Sequence, residues 1–534
     1  MKKYKLIITL LVTGLLFTMC NQDLLDIEQQ SVANLDSYYA NATDADAEAL
    51  IAYIYAETYN ITGYFWVTFL NSMSDDSPAT GGIYSNINTT STNHTGNQYF
   101  TNFYNINYLC NLIIEKLEPD SEVKEQVIGE AYFWRAWAYT KLIRFWGNPP
   151  LIDHVLSNDE LTPNNATTEE LWDYVETSLQ EAISRLQEKS GLGGQQAIGG
   201  RVTKHSGYAL LGKAQLLKGD YSNAINNLGM VINSGNYDLI EDFRDLYHMA
   251  ADFSDEYVWE WNVDDNSTAS TYMNEGDFRF MRFTWNTANV TVPGGIQQQG
   301  VSGADVNKNF YDFMVARGEK GKPRYLGTVW DYEDILKRFV DLGLATDTED
   351  AISKFWKTDA SMINCQGYFR SKMLAWEDEV VPESIDNGLP YTYTNWPGMR
   401  YSEVLLLYAE ACAQSGTNIS QGMEALNKVR NRAGLSGLGS YTLQDVKDEK
   451  RAELAFEGER YLDLIRWGDA PVQLANRGVK TYTFYGYISS TTNYDVSEEP
   501  FAGSSGFQTG RDELFPYPYS EMLLNQNLEQ NNGW

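Results

Sequence analysis

The stretch from Arg451 to Gly468, RAELAFEGERYLDLIRWG, constrains the fold more than any other. It contains no Pro, and its first Gly is Gly458, so the spacing predicts one helix of about five turns. On such a helix Leu454, Gly458, Tyr461, Leu462 and Ile465 share a face, while Ala452, Phe456 and Trp467 lie on the other. A helix apolar on two sides is covered on two sides. Yet it carries Arg451, Glu453, Glu457, Glu459, Arg460, Asp463 and Arg466. Covered charges must be paired, because an unpaired buried charge costs several kcal/mol. The i,i+3 spacings Asp448–Arg451, Glu457–Arg460 and Asp463–Arg466 offer local pairs. The stretch therefore reads as a hub against which other elements pack.

The rest of the chain alternates helical periodicity with long irregular runs. Helices are predicted at 44–60, 100–117, 126–146 and 168–187, the last with Thr168 as N-cap. The third ends on Gly147 with Pro149-Pro150 beyond it, a proper stop signal. Tyr208, Gly212, Gly219, Tyr221, Ala224 and Leu228 then stand at the offsets of a tetratricopeptide unit. The pair 401–415 and 420–432 is a degenerate version. The expected fold is mostly α. About four tetratricopeptide-like hairpins stack in a right-handed superhelix, because each exposes an apolar face that only a neighbour covers.

Two irregular regions interrupt this array. The first, Ile61 to Asn97, reads as one long loop, of a length that is usually functional or disordered. The second, Asp252 to Pro397, is a large insertion of loops and short strands. Short helices are expected in it at 307–317, 331–343 and 347–356. The C-terminal part beyond 470 reads as loop-rich. The domain reading is an export signal at 1–19 followed by a single domain over 20–534. Within that domain, repeats cover about 44–250 and 398–470, and the insertion covers about 251–397.

Charge and composition exclude several functions. Asp plus Glu number 72 against 40 Lys plus Arg, a net charge of −32. That field repels nucleic-acid phosphates, so no nucleic-acid partner is expected. The four Cys form no C-x-x-C pair, and Cys110 and Cys412 fall in apolar helical patterns as buried thiols. No G-x-S-x-G, P-loop or dinucleotide-binding glycine motif occurs. Asp75 and Asp76 are adjacent in a loop and point different ways, which suits no glycosidase pair. Asp264-Asp265-Asn266 reads as an acidic turn rather than a cation site. No catalytic residue, metal or cofactor is expected. At the N-terminus Lys2, Lys3 and Lys5 precede the apolar run Leu6–Leu16, which is too short to span a bilayer. Cys20 stands where a lipid-bearing Cys would, although Met19 and Phe17 are unusual before it.

Three stretches carry a resemblance. EKRAELAFEGERYLDLIRWG at 449–468 is similar to the C-terminal signature of the SusD/RagB family of surface glycan-binding lipoproteins. RAWAYTKLIRFWGNPPL, Arg135 to Leu151, resembles a second signature, and LFPYPYSEMLLNQNLEQNNGW resembles the family's closing segment. Ser74-Asp75-Asp76 matches a recurring loop motif of the family. The resemblance implies a non-catalytic protein that is lipid-anchored through Cys20 at the outer membrane and faces the cell exterior. It implies a polysaccharide or oligosaccharide ligand. It also implies a partner, a SusC-like TonB-dependent transporter to which the ligand is delivered.

Aromatic residues make up 13% of the chain, more than a core requires. An aromatic ring covers the C–H face of a sugar while carboxylates and amides take its hydroxyls. The candidate glycan contacts in the two irregular regions are Asp75, Tyr84, Tyr99, Trp285 and Trp330. Two other readings stay open from residues alone: a secreted α-helical glycoside hydrolase, and a protein-binding tetratricopeptide scaffold.

Overall fold

The computed structural model describes residues 35–62, 64–77, 90–189, 200–262, 306–341, 343, 345–350, 368–373, 394–475, 480–484, 496–500 and 506–534. The helices in order are α1 Leu35–Ala40, α2 Asp44–Ile61, α3 Tyr64–Met73, α4 Gly96–Lys116, α5 Glu122–Trp146, α6 Thr168–Arg185, α7 Lys204–Lys218 and α8 Tyr221–Ile232. Strand β1 Tyr257–Trp261 follows, then α9 Lys308–Ala316, α10 Pro323–Leu326, β2 Val329–Trp330, α11 Tyr332–Asp341 and β3 Phe369–Arg370. The chain continues through β4 Trp396–Arg400, α12 Tyr401–Ser415, α13 Ile419–Arg432, α14 Leu443–Glu453, α15 Arg460–Arg466 and α16 Ala470–Gln473. It ends with β5 Lys480–Phe484, β6 Val496–Pro500 and α17 Tyr519–Leu524.

The fold is mostly helical, and its helices begin where local chemistry starts them. Thr43, Thr167, Thr203 and Thr442 each accept from the third residue on and close a capping box. Thr167, not the expected Thr168, caps α6, because Glu170 three residues on reaches back to it. Helix α5 stops at Gly147, whose φ of 75° suits Gly. Trp134, Trp137 and Trp146 are all buried along α5, which packs between α4 and α6.

The residues read as a tetratricopeptide unit form a packed helical hairpin, α7 and α8. Gly219 ends α7 with φ 90°, and a Cβ on Gly212 would lie 2.5 Å from Leu228, so the close crossing requires Gly there. The same device recurs between α12 and α13. A Cβ on Gly422 would come within 2.8 Å of Cys412 and 2.1 Å of the Tyr441 hydroxyl. Helix α8 packs directly on α12, although the two lie on either side of the insertion in sequence. At the insertion's base β1 pairs antiparallel with β4, Tyr257 opposite Arg400 and Trp261 opposite Trp396. Cys110 and Cys412 are buried free thiols.

Two expectations need correction. The hub is not one helix: α14 ends at Glu453, and the chain turns through Phe456 (φ 65°) and Gly458 (φ 85°) before α15 starts. A non-Gly residue at positive φ is strained, and here side chains from remote segments hold the turn. Second, the region 61–97 is not all loop, because α3 occupies 64–73 and α4 starts at Gly96. Aromatic residues dominate α3, and periodicity over so short a run did not separate helix from loop. Two of the insertion's expected short helices appear as α9 and α11, and 347–356 lies mostly outside the described residues. The described end of the tail, 506–534, is bound to the core. Phe515 N–H donates to the Phe145 carbonyl at 2.6 Å, and the Trp146 indole donates to the Pro516 carbonyl at 3.0 Å.

Candidate functional site

Two features compete for attention around the insertion: a buried web of charges at the hub, and an open cleft beside Trp330. The web is built from the hub outward. Arg400, at the end of β4, donates to Glu256 (2.7 Å), Glu453 (2.9 Å) and Glu457 (2.6 Å). Arg324 of α10 donates to Glu319 (2.6 Å) and Glu449 (2.5 Å), and all three side chains are fully buried. Arg432 reaches Glu256 and Glu453. Lys372 bonds Glu457 and the carbonyls of Glu453 and Ala455, satisfying the acceptors freed where the hub helix breaks.

Of the three local pairs expected on the hub, Asp463–Arg466 is present at 2.8 Å. Glu457 pairs instead with Lys372 and Arg400, and Arg460 with Asp75. For Glu457 and Arg460 helix interruption is the reason, since a turn between 453 and 460 removes the one-face geometry that i,i+3 pairing needs. Within α14, Arg451 turns to Asp75 and Asp76 rather than to Asp448.

Asp75 belongs to this web. Its carboxylate takes two bonds from Arg460, at 2.8 and 2.9 Å, and lies 3.2 Å from Arg451. Burial alone would raise its pKa, but Arg451 and Arg460 outweigh burial and hold it down at about 2. Neighbouring Asp76 takes Arg451 at 2.7 Å, and its burial and the adjacent Asp75 push its carboxyl upward. Asn71 completes the joint, donating to the Phe456 carbonyl and accepting from Gly458 N–H. The Ser74-Asp75-Asp76 motif thus clamps the hub turn, and Asp75 does not present a free carboxylate to a ligand. Tyr99 is corrected on the same ground: it is buried in the core at 3% exposure. Tyr84, Trp285, Asp264, Asp265, Asn266 and Cys20, with the signal segment, lie outside the described residues.

Among the described candidates, Trp330 reaches a cavity. It closes β2, paired with Phe369 of β3, and its indole N–H donates to the Leu326 carbonyl at 2.6 Å. At 7% exposure it is wall rather than open platform, because this bond and the strand pairing press it against α10. The cleft beside it holds about 400 Å³ and is walled on the other side by the segment 242–248. Asp242, Asp245, Asp334 and Asp341 face it together with Arg244, Lys337 and Arg338. Asp242 grips Arg244 through both oxygens, at 2.5 to 3.0 Å. Asp334 caps α11 reciprocally with Asp331 and accepts from the Tyr325 hydroxyl at 2.6 Å. Burial pushes the Asp334 carboxyl up to about 6, with Asp331 adding to it. Burial also lowers the Arg338 guanidinium, and Arg244 adds to that effect. A cleft lined by carboxylates and cations with an indole in its wall can bind a polyhydroxylated molecule.

Sequence reading missed the cleft's inner wall. Residues 242–248 lack any motif and fall at the end of a stretch read as repeats; the acidic-basic run Glu241–Asp245 was the available signal. Among the described residues, no cluster of three metal-ligating side chains and no helix apolar enough to cross a membrane occurs.

Comparison with known proteins defines the class. A model of the SusD family matches residues 255–534, and a second family model, described as starch-binding and associating with the outer membrane, matches residues 25–216. The chain belongs to the SusD family. Members of this family bind glycans without catalysis, in keeping with a sequence that carries no catalytic motif. The SusD-like protein P38 of Formosa agariphila is 25% identical over 526 residues, spanning 88% of this chain and 93% of the relative. The starch-binding protein SusD of Bacteroides thetaiotaomicron is 24% identical over 463 residues, spanning 79% and 76%. Among solved structures, a laminarin-binding SusD-like protein superposes with a TM-score of 0.71 at 24% identity, over 92% of this chain and 99% of that one. Surface glycan-binding protein A of Bacteroides thetaiotaomicron, in complex with laminarihexaose, gives 0.68 at 20% identity, over 92% and 100%. These likenesses establish the fold.

Proposed function

We propose that the protein captures a polysaccharide or oligosaccharide at the cell surface and delivers it to a SusC-like TonB-dependent outer-membrane transporter. It would be held at the outer membrane by lipid on Cys20. The observation that carries this reading is family membership over 255–534, a span that contains the whole insertion-side wall of the Trp330 cleft. The glycan would lie in that cleft, with hydroxyls bridging Asp245, Lys337 and Asp341, which are not locked into the hub web. Tyr84 and Trp285 remain the proposed stacking aromatics on sequence grounds. Two of the solved relatives are named for laminarin or laminarihexaose, so a laminarin oligosaccharide is the first ligand to test.

The test is calorimetry of the chain beginning after Cys20 with laminarihexaose and with starch oligosaccharides. Lys337→Ala and Asp245→Ala should each weaken binding of whichever glycan binds by about 1 kcal/mol, the scale of a lost hydrogen bond. Melting temperature should stay put, since Lys337 is mostly exposed (76% of its side chain). Unchanged affinity in both variants would move the site away from the cleft. Turnover of the glycan would refute the non-catalytic reading, and capture of the transporter without glycan binding would favour a protein-binding scaffold.

A further inference from the structure

The cleft's inner wall has two faces. Asp242, Arg244, Asp245, Leu246 and His248 line the cleft, whereas Phe243 and Tyr247 do not and are buried. Both meet the hub instead. The Phe243 ring has the Arg432 guanidinium over it at 4.8 Å and the Lys372 ammonium at 5.4 Å. The same ammonium lies 5.6 Å from the Tyr247 ring. These cations bond Glu256, Glu453 and Glu457 in the web, so the web fixes where they stand. A ring face attracts a cation, and more strongly where water is excluded. Regular structure does little to hold this wall. It has one three-residue helical turn, Phe243–Asp245, and Tyr247 carries φ 67°. A non-Gly residue keeps that conformation only where its surroundings impose it.

Phe243 also meets the opposite side of the cleft, at Gly327, which lines it. A Cβ on Gly327 would lie 2.8 Å from Phe243 Cδ1 and 3.2 Å from Arg244 Cα. Gly327 has φ −88°, open to any residue, so close approach is what requires Gly there. The preceding Leu326 carbonyl accepts from the Trp330 indole and, at 3.0 Å, from the Ser371 hydroxyl. Lys372 follows Ser371 directly. The two walls therefore meet at Gly327, and Lys372 is tied to both.

We propose that Phe243 is the positioning residue of the cleft: the hub cations Lys372 and Arg432 hold its ring, Gly327 admits it, and the distance of Asp245 from the Trp330 wall follows. Glycan affinity then depends on a ring that lines no part of the cleft. A binding group is only as well placed as the residues behind it. The ligand here rests on the glycan reading above, whereas the wall geometry stands without it. Substitution separates positioning from plain filling of space. Phe243→Leu keeps an apolar side chain and removes the ring face, and Phe243→Tyr keeps the ring. If Phe243 only filled space, Leu would place the wall as well as Tyr does.

The experiment has two arms, both on the chain beginning after Cys20. In the first, spin labels on Asp245→Cys and Lys337→Cys report the wall separation by pulsed electron paramagnetic resonance, with Cys365→Ser. Both labelled positions are exposed, and Cys110 and Cys412 are buried. Phe243→Leu should broaden the distance distribution, Phe243→Tyr should leave it as in the wild type, and Gly327→Ala should lengthen it by pushing Phe243 away. In the second, calorimetry with laminarihexaose on the unlabelled chains should show Phe243→Leu weaker by about fivefold, the scale of a lost cation–ring contact, and Phe243→Tyr unchanged. Distances unchanged in both Phe243→Leu and Gly327→Ala would overturn the proposal, as would altered distances with unchanged affinity. Distances that respond as stated in a wild type that does not bind laminarihexaose would support the positioning and count against that glycan as the ligand.

Discussion

The repeat array and the hub are buried alike and held together differently. In the array, Trp134, Trp146, Leu179, Leu228 and Leu426 are fully buried or nearly so, and the helices cross on apolar faces and small residues. At the hub, Glu449 and Glu453 are as deeply buried as those Trp rings, and Arg400, Lys450 and Asp463 nearly so. An apolar face accepts whichever complementary face covers it. A buried charge accepts only a partner of the right sign and geometry. The hub's partners come from several remote segments: Asp75 and Asp76 after α3, Arg324 on α10, Lys372 after β3, and Arg400, which also holds Glu256 before β1. We read the array as the source of burial and the hub as the joint that fixes how the irregular segments meet the array.

The largest expected effect breaks that joint. Arg400→Met leaves Glu256, Glu453 and Glu457 each short of a cation within a buried site. A loss of about 3–5 kcal/mol is expected. Urea or guanidinium melts check it. A loss below about 1 kcal/mol would mean that the web is solvated and the contrast with the array is false.

Acid sharpens the comparison, because Asp75 at the hub and Glu130 in the array shift in opposite directions. Asp75 at the hub is held at about 2 by its arginines. A depressed carboxylate stabilises the fold above its unfolded pKa near 4, and that contribution disappears as pH falls through about 2. Glu130 on α5 lies in the array, and burial raises it to about 7 despite Arg201. A raised carboxylate works the other way. Its contribution is complete below the unfolded pKa near 4.5 and is lost as pH rises through about 7. Asp75→Asn should therefore lower stability at neutral pH and flatten the acid limb between about pH 4 and 2. Glu130→Gln should flatten the decline between about pH 4.5 and 7, keeping its bonds to Gln126 and Arg201 in modified form. Each slope should change by roughly 1–3 kcal/mol over its window. Equal effects of both substitutions on the same limb would contradict the assignment of the shifts.

This contrast also decides what could be read from the chain. The array was legible because its information is local. Apolar spacing gave α2, α5 and α12 within a few residues, and Gly147, Gly219 and Gly416 mark helix ends by their own backbone freedom. The hub was legible as a hub, since charges on a two-sided apolar stretch demand partners. Its partners were not legible, because pairing Asp75 with Arg460 joins residues 385 apart and leaves no periodic trace. The break at 454–459 was hidden for a related reason: Lys372, Arg400 and Asn71 satisfy it from elsewhere, so the local sequence still looks helical. The cleft fared worst. Trp330 was singled out as a loop aromatic, but the residues opposite it at 242–248 meet it only through the tertiary fold.

The smallest effect tests whether burial, rather than charge pairing itself, makes the hub matter. Lys308 and Asp312 on α9 form an i,i+4 pair at 2.6 Å, close to the 2.5 Å of Lys372 and Glu457. Their distances alone would rank them as equals. Their surroundings differ: the Lys308 and Asp312 side chains are 34% and 53% exposed, against 1% and 14% for Lys372 and Glu457. In water the Coulomb gain is screened, ordering two long side chains offsets most of it, and an unpaired partner is simply hydrated. Lys308→Ala should then cost no more than about 0.5 kcal/mol, and added salt should erase even that. Lys372→Met, by contrast, strips a buried carboxylate and two backbone carbonyls of a donor at once, and salt should not reduce its cost. Denaturant melts of the two variants at low and high salt check the ranking. A salt-sensitive Lys372→Met, or a Lys308→Ala of equal cost, would show that the hub's ion pairs behave as surface pairs and that apolar packing alone joins the insertion to the array.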